Sequence, residues 1–103
     1  MIEINKLVRD NIPQLIKEEG KIPNFCKLTD DKKFYNELCK KLIEESLEFI
    51  ESGKAEELAD IVEVVEAILA YKNVTFSEIM QIKERKATAN GKFKERFFLL
   101  SVE

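Results

Sequence analysis

The sequence predicts an all-α protein, a small helical bundle with a central antiparallel helix hairpin and extended arms at both termini. Apolar residues recur at helical spacing over long stretches, and residues typical of helix caps precede these stretches. Only three glycines and two prolines interrupt the 103 residues. A chain of this length, with 45% hydrophobic and 36% charged residues, fits one domain over residues 1–103 with a limited core.

The N-terminal region predicts an arm followed by a short helix. Residues 1–8 alternate weakly between apolar and polar side chains, which is typical of an extended segment. Asp10 and Asn11 are common N-cap residues, and Pro13 fits a first helical turn. We expect this helix to end near Gly20, because glycine readily adopts the left-handed conformation that ends helices.

Two longer helices are predicted to form the hairpin. The first begins at the aspartates of positions 30–31 and continues to about residue 52, where Gly53 ends it. The second extends over about residues 54–71. A link of about two residues leaves room only for antiparallel neighbours.

A fourth helix and an apolar tail complete the chain. Thr75 and Glu78 form a capping-box pattern, and the helix should end near residues 90–91. Residues 93–102 are predicted to form a short strand or an arm packed on the bundle. Their aromatic and aliphatic run at 97–100, together with the modest core, predicts self-association as a homodimer or homotetramer.

Residue types that are missing or rare exclude several kinds of site. The chain has no histidine, which excludes Ser-His-Asp triads, Cys-His dyads and imidazole-ligated zinc. Cys26 and Cys39 are too far apart for a Cys-x-x-Cys motif. We expect both cysteines to be reduced, partly buried packing residues.

Negative charge is concentrated in the middle of the chain. Residues 37–66 contain ten acidic residues and three lysines, a net charge of −7, although the whole chain carries only −3. Such a region repels phosphate backbones, so the sequence predicts no nucleic-acid partner. The start of the chain lacks a signal-peptide pattern, and no apolar run is long enough to cross a bilayer. We therefore expect a cytoplasmic protein with no membrane partner.

Four carboxylates stand at unusual places on the two hairpin helices. On helical wheels, Glu45 and Glu57 each fall inside the apolar arc of their helix. Glu48 and Asp60 follow three residues later, at the border of the same arcs. Spacing of i and i+3 places both acids of each pair on one side of the helix.

Buried carboxylates need a compensating positive charge. Since the chain has no histidine, the ligand set is all oxygen, which favours Mg²⁺ or Mn²⁺ over zinc. The alternative is that these acids pair with Lys41, Lys54 or other basic groups, or lie at a solvated edge.

Basic residues form a second candidate set. Lys83 interrupts the apolar stripe of the fourth helix, and Lys86 follows on the same side, while Lys6 and Arg9 lie near the N-terminus. One interpretation is a phosphate clamp that faces the metal site, because a polyphosphate needs both a divalent cation and cationic side chains. The other is a solvated face that complements the helix dipole.

Acidic motifs and flanking residues together carry a family resemblance. The chain resembles the all-α nucleoside triphosphate pyrophosphohydrolases, the MazG-type superfamily that includes phosphoribosyl-ATP pyrophosphohydrolase, and in particular its short house-cleaning branch. The matching segments are Glu44-Glu45-Ser46-Leu47-Glu48, Glu57-Leu58-Ala59-Asp60 and the opening Lys6-Leu7-Val8-Arg9-Asp10-Asn11-Ile12-Pro13. The branch commonly ends its fourth helix with Arg-Gly-Gly-Phe, whereas this chain has Asn90-Gly91-Lys92-Phe93.

The resemblance implies hydrolysis of a nucleotide between its α and β phosphates to a monophosphate and pyrophosphate. It assigns Mg²⁺ binding to Glu45, Glu48, Glu57 and Asp60, the four acids that the wheels also single out. Glu44 becomes a supporting or water-orienting residue, and Glu44 and Glu45 are the catalytic candidates. The general base, the number of metal ions and the preferred base and sugar stay open.

Two other functions compete with this one. A non-enzymatic helical module could bind nucleotide or dimerise while retaining the acidic motif, and the altered Asn90-Gly91-Lys92 turn favours it. A nucleic-acid binder that uses the fourth helix is less favoured, because no aromatic residues alternate with its basic ones.

Overall fold

The computed structural model describes residues 2–103, which contain four α-helices and no β-strand. The helices are α1 (Ile12–Glu18), α2 (Asp31–Ser52), α3 (Ala55–Tyr71) and α4 (Phe76–Asn90). The predicted all-α fold is confirmed, and each of the four predicted helices is present at its predicted place.

Side-chain caps mark the starts of α2 and α4, whereas Asn11 before α1 and Lys54 before α3 form no such cap bond. The Asp30 side chain accepts hydrogen bonds from the backbone N–H groups of Lys32 and Lys33, and Thr75 accepts one from the N–H of Glu78. These bonds satisfy donors that have no partner inside the first helical turn. Gly53 ends α2 with a φ of 67°, a left-handed conformation that side chains with a Cβ disfavour.

The antiparallel hairpin of α2 and α3 is the packed part of the molecule. Tyr71, at the end of α3, stacks on Tyr35 near the start of α2 with ring centroids 5.1 Å apart. Among residues 2–103, the buried apolar side chains are Leu38, Val64 and Leu69. The core of a single chain therefore lies between these two helices and is small.

Part of the predicted apolar arc of α2 is not covered. Ile43, Leu47 and Ile50 share one side of the helix and are 60–75% exposed. α4 has no buried residue, and the molecule measures 59 × 31 × 25 Å. A single chain therefore leaves an apolar face of its hairpin open to solvent.

The C-terminal tail differs from both predicted conformations. Residues 92–103 form neither a strand nor a packed arm, and Phe97 is 91% exposed. A strand needs a hydrogen-bonding partner, and residues 2–103 offer none. A packed arm needs a groove, which α4 does not form because it stands largely apart from the hairpin.

The two cysteines are both free, but their environments differ. Cys39 is half-buried on α2, as predicted, whereas Cys26 is exposed. The prediction for Cys26 is wrong because the loop before α2 has no element packed over it.

None of the helices described in residues 2–103 combines the length and apolar character needed to cross a membrane.

Candidate metal centre

The hairpin brings together carboxylates from the two acidic motifs. Glu45 on α2 faces Glu57 and Asp60 on α3, and one carboxylate oxygen of each lies within 4.8 Å of the other two. We call these three residues the acidic cluster. Because α2 and α3 are antiparallel and share a short turn at Gly53, residues shortly before and after that turn become neighbours.

Glu45 is the most enclosed member of the acidic cluster. Its side chain is 12% exposed, against 40% for Asp60. Its Oε2 atom is buried and has no hydrogen-bond partner among residues 2–103. A buried acceptor without a partner is costly, so this oxygen is a suitable ligand atom for a cation.

Glu48 lies at the margin of the acidic cluster. Its side chain is exposed, and it is not one of the three carboxylates that lie within 4.8 Å of one another. Its charge nevertheless contributes to the raised pKa values of Glu45 and Glu57. The structure thus brings three of the four predicted ligands together and places the fourth beside them.

Burial, hydrogen bonding between neighbouring carboxyl groups and mutual repulsion raise the pKa values of two of these acids. Burial is the largest cause of the raised pKa of Glu45, followed by Glu48, and Asp60 adds a smaller repulsion. Loss of water is likewise the first cause of the raised pKa of Glu57, followed by Asp60 and Glu48. Added positive charge at this position would relieve both effects.

Three basic side chains already lie beside these acids. Lys6 Nζ is 2.7 Å from Glu44 Oε1, and Arg9 Nη2 is 2.9 Å from Asp60 Oδ1. Lys41 Nζ lies 3.4 Å from Glu44 and 3.8 Å from Glu45. Two of the residues predicted to bind phosphate, Lys6 and Arg9, are therefore at the acidic site.

Glu44 behaves differently from Glu45, although the two are adjacent in sequence. The hydrogen bond from Lys6 lowers the pKa of Glu44, and Lys41 lowers it further. The same pair raises the pKa of Lys6. Glu44 is thus a charged, hydrogen-bonded neighbour of the acidic cluster. The alternative of pairing between acidic and basic groups therefore describes Glu44 well and describes Glu45 only in part.

The two lysines of α4 lie elsewhere. Lys83 and Lys86 line a shallow cavity of about 510 Å³ at the end of α4, together with Lys92 and Phe93. Lys83 also lies 3.3 Å from Glu84. No residue of the acidic cluster lines this cavity, so this single chain does not bring the α4 lysines to the carboxylates.

Sequence reasoning did not foresee the direct ion pairs of Lys6 and Arg9. The available signal was the charge distribution, since the acidic middle of the chain is balanced by basic residues outside it.

No family model, curated protein or solved structure matches this chain. The all-oxygen donor set and the unpartnered oxygen of Glu45 nevertheless fit a hard divalent cation.

Proposed function

We propose that the protein is a Mg²⁺-dependent nucleotide pyrophosphohydrolase, which cleaves between the α and β phosphates to give a nucleoside monophosphate and pyrophosphate. The observation that carries the proposal is the meeting of Glu45, Glu57 and Asp60, drawn from two separate acidic motifs. The resemblance of these motifs to the all-α pyrophosphohydrolases supplies the reaction type. Noncanonical nucleotides are a candidate substrate class.

Each residue has a role in this proposal. Glu45, Glu57 and Asp60 would hold Mg²⁺, and Glu48, which is exposed beside them, is the fourth candidate ligand. At this place Mg²⁺ would polarise the scissile phosphate and neutralise charge on the leaving pyrophosphate. Lys6 and Arg9 bind phosphate oxygens, because both already reach the edge of the acidic cluster.

Glu44 is better suited to orient the attacking water than to remove its proton. A general base works best when its pKa lies near the working pH. The Lys6 hydrogen bond lowers the pKa of Glu44, which weakens it as a base but keeps its oxygens charged as acceptors. Burial raises the pKa of Glu45 in the metal-free chain, but a bound cation would lower it again, so Glu45 serves in this proposal as a ligand.

The proposal is tested by pyrophosphate release from a panel of canonical and damaged nucleotides, with Mg²⁺ and with a chelator. Glu57→Gln preserves the side-chain shape and removes one ligand charge, so turnover should fall by about 100-fold or more. Glu63→Gln is the matched control, because Glu63 is exposed on the same helix and forms no ion pair among the described residues. Equal turnover by wild type and Glu57→Gln would refute the assignment.

A second candidate is a non-enzymatic helical module that binds nucleotide or dimerises. The open apolar face at Ile43, Leu47 and Ile50 favours this alternative, because such a face is typical of an interaction surface. Saturable nucleotide binding without pyrophosphate release, over the whole panel and with Mg²⁺ present, would support the module over the enzyme.

A further inference from the structure

The segment of residues 2–10, here called the N-terminal arm, crosses both helices of the hairpin beside the acidic cluster. Lys6 donates a hydrogen bond to Glu44 on α2, and Arg9 donates one to Asp60 on α3. Leu7 and Val8, between the two cations, are half-buried. The arm therefore pairs one of its cations with each helix, and these two ion pairs hold it in place.

The two ion pairs differ in the carboxylate that they use. Asp60 belongs to the acidic cluster, and its Oδ1 is 2.9 Å from Arg9 Nη2. Glu44 is not part of the cluster. A divalent cation held by the cluster would share the Asp60 carboxylate with the Arg9 guanidinium, and two like charges on one carboxylate repel each other. Lys6 on Glu44 meets less of this repulsion.

We propose that Arg9 is an exchangeable counter-ion of the metal centre: it pairs with Asp60 until a divalent cation binds, and then leaves Asp60. Lys6 keeps the arm attached to α2 through Glu44 during this exchange. The inference rests on the metal centre of the proposed function. It adds an order of events, since cation binding frees a guanidinium beside the cluster to bind substrate phosphate.

Because both side chains are exposed, little free energy is needed to separate Arg9 from Asp60. The Arg9 and Asp60 side chains are 58% and 40% exposed, and exposed ion pairs contribute little to stability. Removing Arg9 should therefore remove a weak competitor. We expect Arg9→Gln to lower the Kd for Mg²⁺ about two- to fivefold.

Isothermal titration calorimetry of the full chain with MgCl₂ measures this change. Arg85→Gln is the matched control, because it removes the same charge from an exposed position on α4 that forms no ion pair among residues 2–103. Its Kd should equal that of wild type. The ¹⁵N NMR signal of the Arg9 guanidinium gives a second readout in the wild-type chain, and it should shift with the same Kd while those of Arg85 and Arg96 stay fixed.

The outcomes separate this inference from the function on which it rests. Mg²⁺ binding that is equal or weaker in Arg9→Gln, with an Arg9 signal that does not shift, overturns the exchange and leaves the metal centre standing. Absence of Mg²⁺ binding by the wild type overturns both. If Arg9→Gln fails to fold by circular dichroism, the wild-type NMR titration decides the question alone.

Discussion

Glu45 lowers the stability of the metal-free fold at the position where it would serve as a metal ligand. Its Oε2 is buried without a hydrogen-bond partner in the described part of the chain, and burial raises its pKa. In chelator, Glu45→Gln should raise the free energy of unfolding by roughly 1 kcal/mol, because it removes a buried charge and its repulsion by Glu48 and Asp60. Urea denaturation measures this, with Glu63→Gln as a control expected within about 0.5 kcal/mol of wild type.

Addition of Mg²⁺ should make wild type more stable to unfolding than Glu45→Gln. A ligand that binds only the folded chain stabilises it, and Glu45→Gln lacks one ligand charge. Wild type should therefore gain more stability than the variant on addition of Mg²⁺. A variant that is less stable than wild type in chelator would contradict this account of Glu45.

The pH dependence of the same comparison follows from the direction of the pKa shift. A carboxyl whose pKa is raised by folding is most favourable when protonated, so its contribution to stability is lost as pH rises through the unfolded and then the folded pKa. The advantage of Glu45→Gln should thus be larger at neutral pH than at pH 4.5, the ordinary pKa of this carboxyl group. Glu44 has the opposite sign, because its pKa is lowered and its contribution is lost on acidification. Urea titrations at both pH values check this, and an advantage that grows on acidification would reverse the assigned sign.

At the scale of elements, the turn between α2 and α3 sets the geometry of the site. Gly53 adopts a φ of 67°, and nothing lies within 4 Å of an added Cβ, so a substitution there costs only backbone strain. Gly53→Ala should lower the free energy of unfolding by about 1 kcal/mol. Gly53→Asn is the comparison and should cost less, because asparagine tolerates the left-handed region better. Thermal unfolding of both variants tests this, and equal losses would exclude backbone strain as the cause.

Elements that depend on local chemistry were predictable from the sequence. The cap at Asp30, the stop at Gly53 and the start at Thr75 each involve residues a few positions apart. The meeting of Glu45 with Glu57 was also accessible, because helical periodicity and a short turn leave few arrangements.

Features that depend on distant contacts were not predictable. Arg9 and Asp60 are far apart in sequence, and no periodicity links them. The exposure of Ile43 and Ile50 was not predictable either. A helical wheel shows which side of a helix is apolar, but not whether another element covers that side. The tail failed as a prediction for the same reason, because apolar composition does not reveal a docking partner.

At the scale of the whole molecule, the small core supports our proposal of self-association. Only Leu38, Val64 and Leu69 are buried apolar residues within 2–103, while the α2 face and the tail expose many large ones. We expect wild type to sediment as a dimer or tetramer, because a second copy would cover apolar surface that one chain leaves in water.

Leu47→Lys tests which surface is used, since Leu47 lies on the exposed α2 face and is 60% exposed. Burying a lysine there is costly, so the variant should dissociate at concentrations at least about tenfold higher than wild type. Glu63→Gln changes the net charge by the same amount and should dissociate at the same concentration as wild type. A wild-type chain that remains monomeric at millimolar concentration in sedimentation equilibrium would remove the proposal.

The short turn at Gly53 also has a consequence for the order in which the chain folds. Contacts between α2 and α3 close a small loop, and such contacts form early because little chain entropy is lost in making them. The acidic cluster lies within this early hairpin, whereas the N-terminal arm must cross a longer stretch of chain to reach it. We therefore expect the repulsion among Glu45, Glu57 and Asp60 to act already in the folding transition state, before Arg9 pairs with Asp60. A divalent cation that binds at that stage would speed folding, and not only slow unfolding.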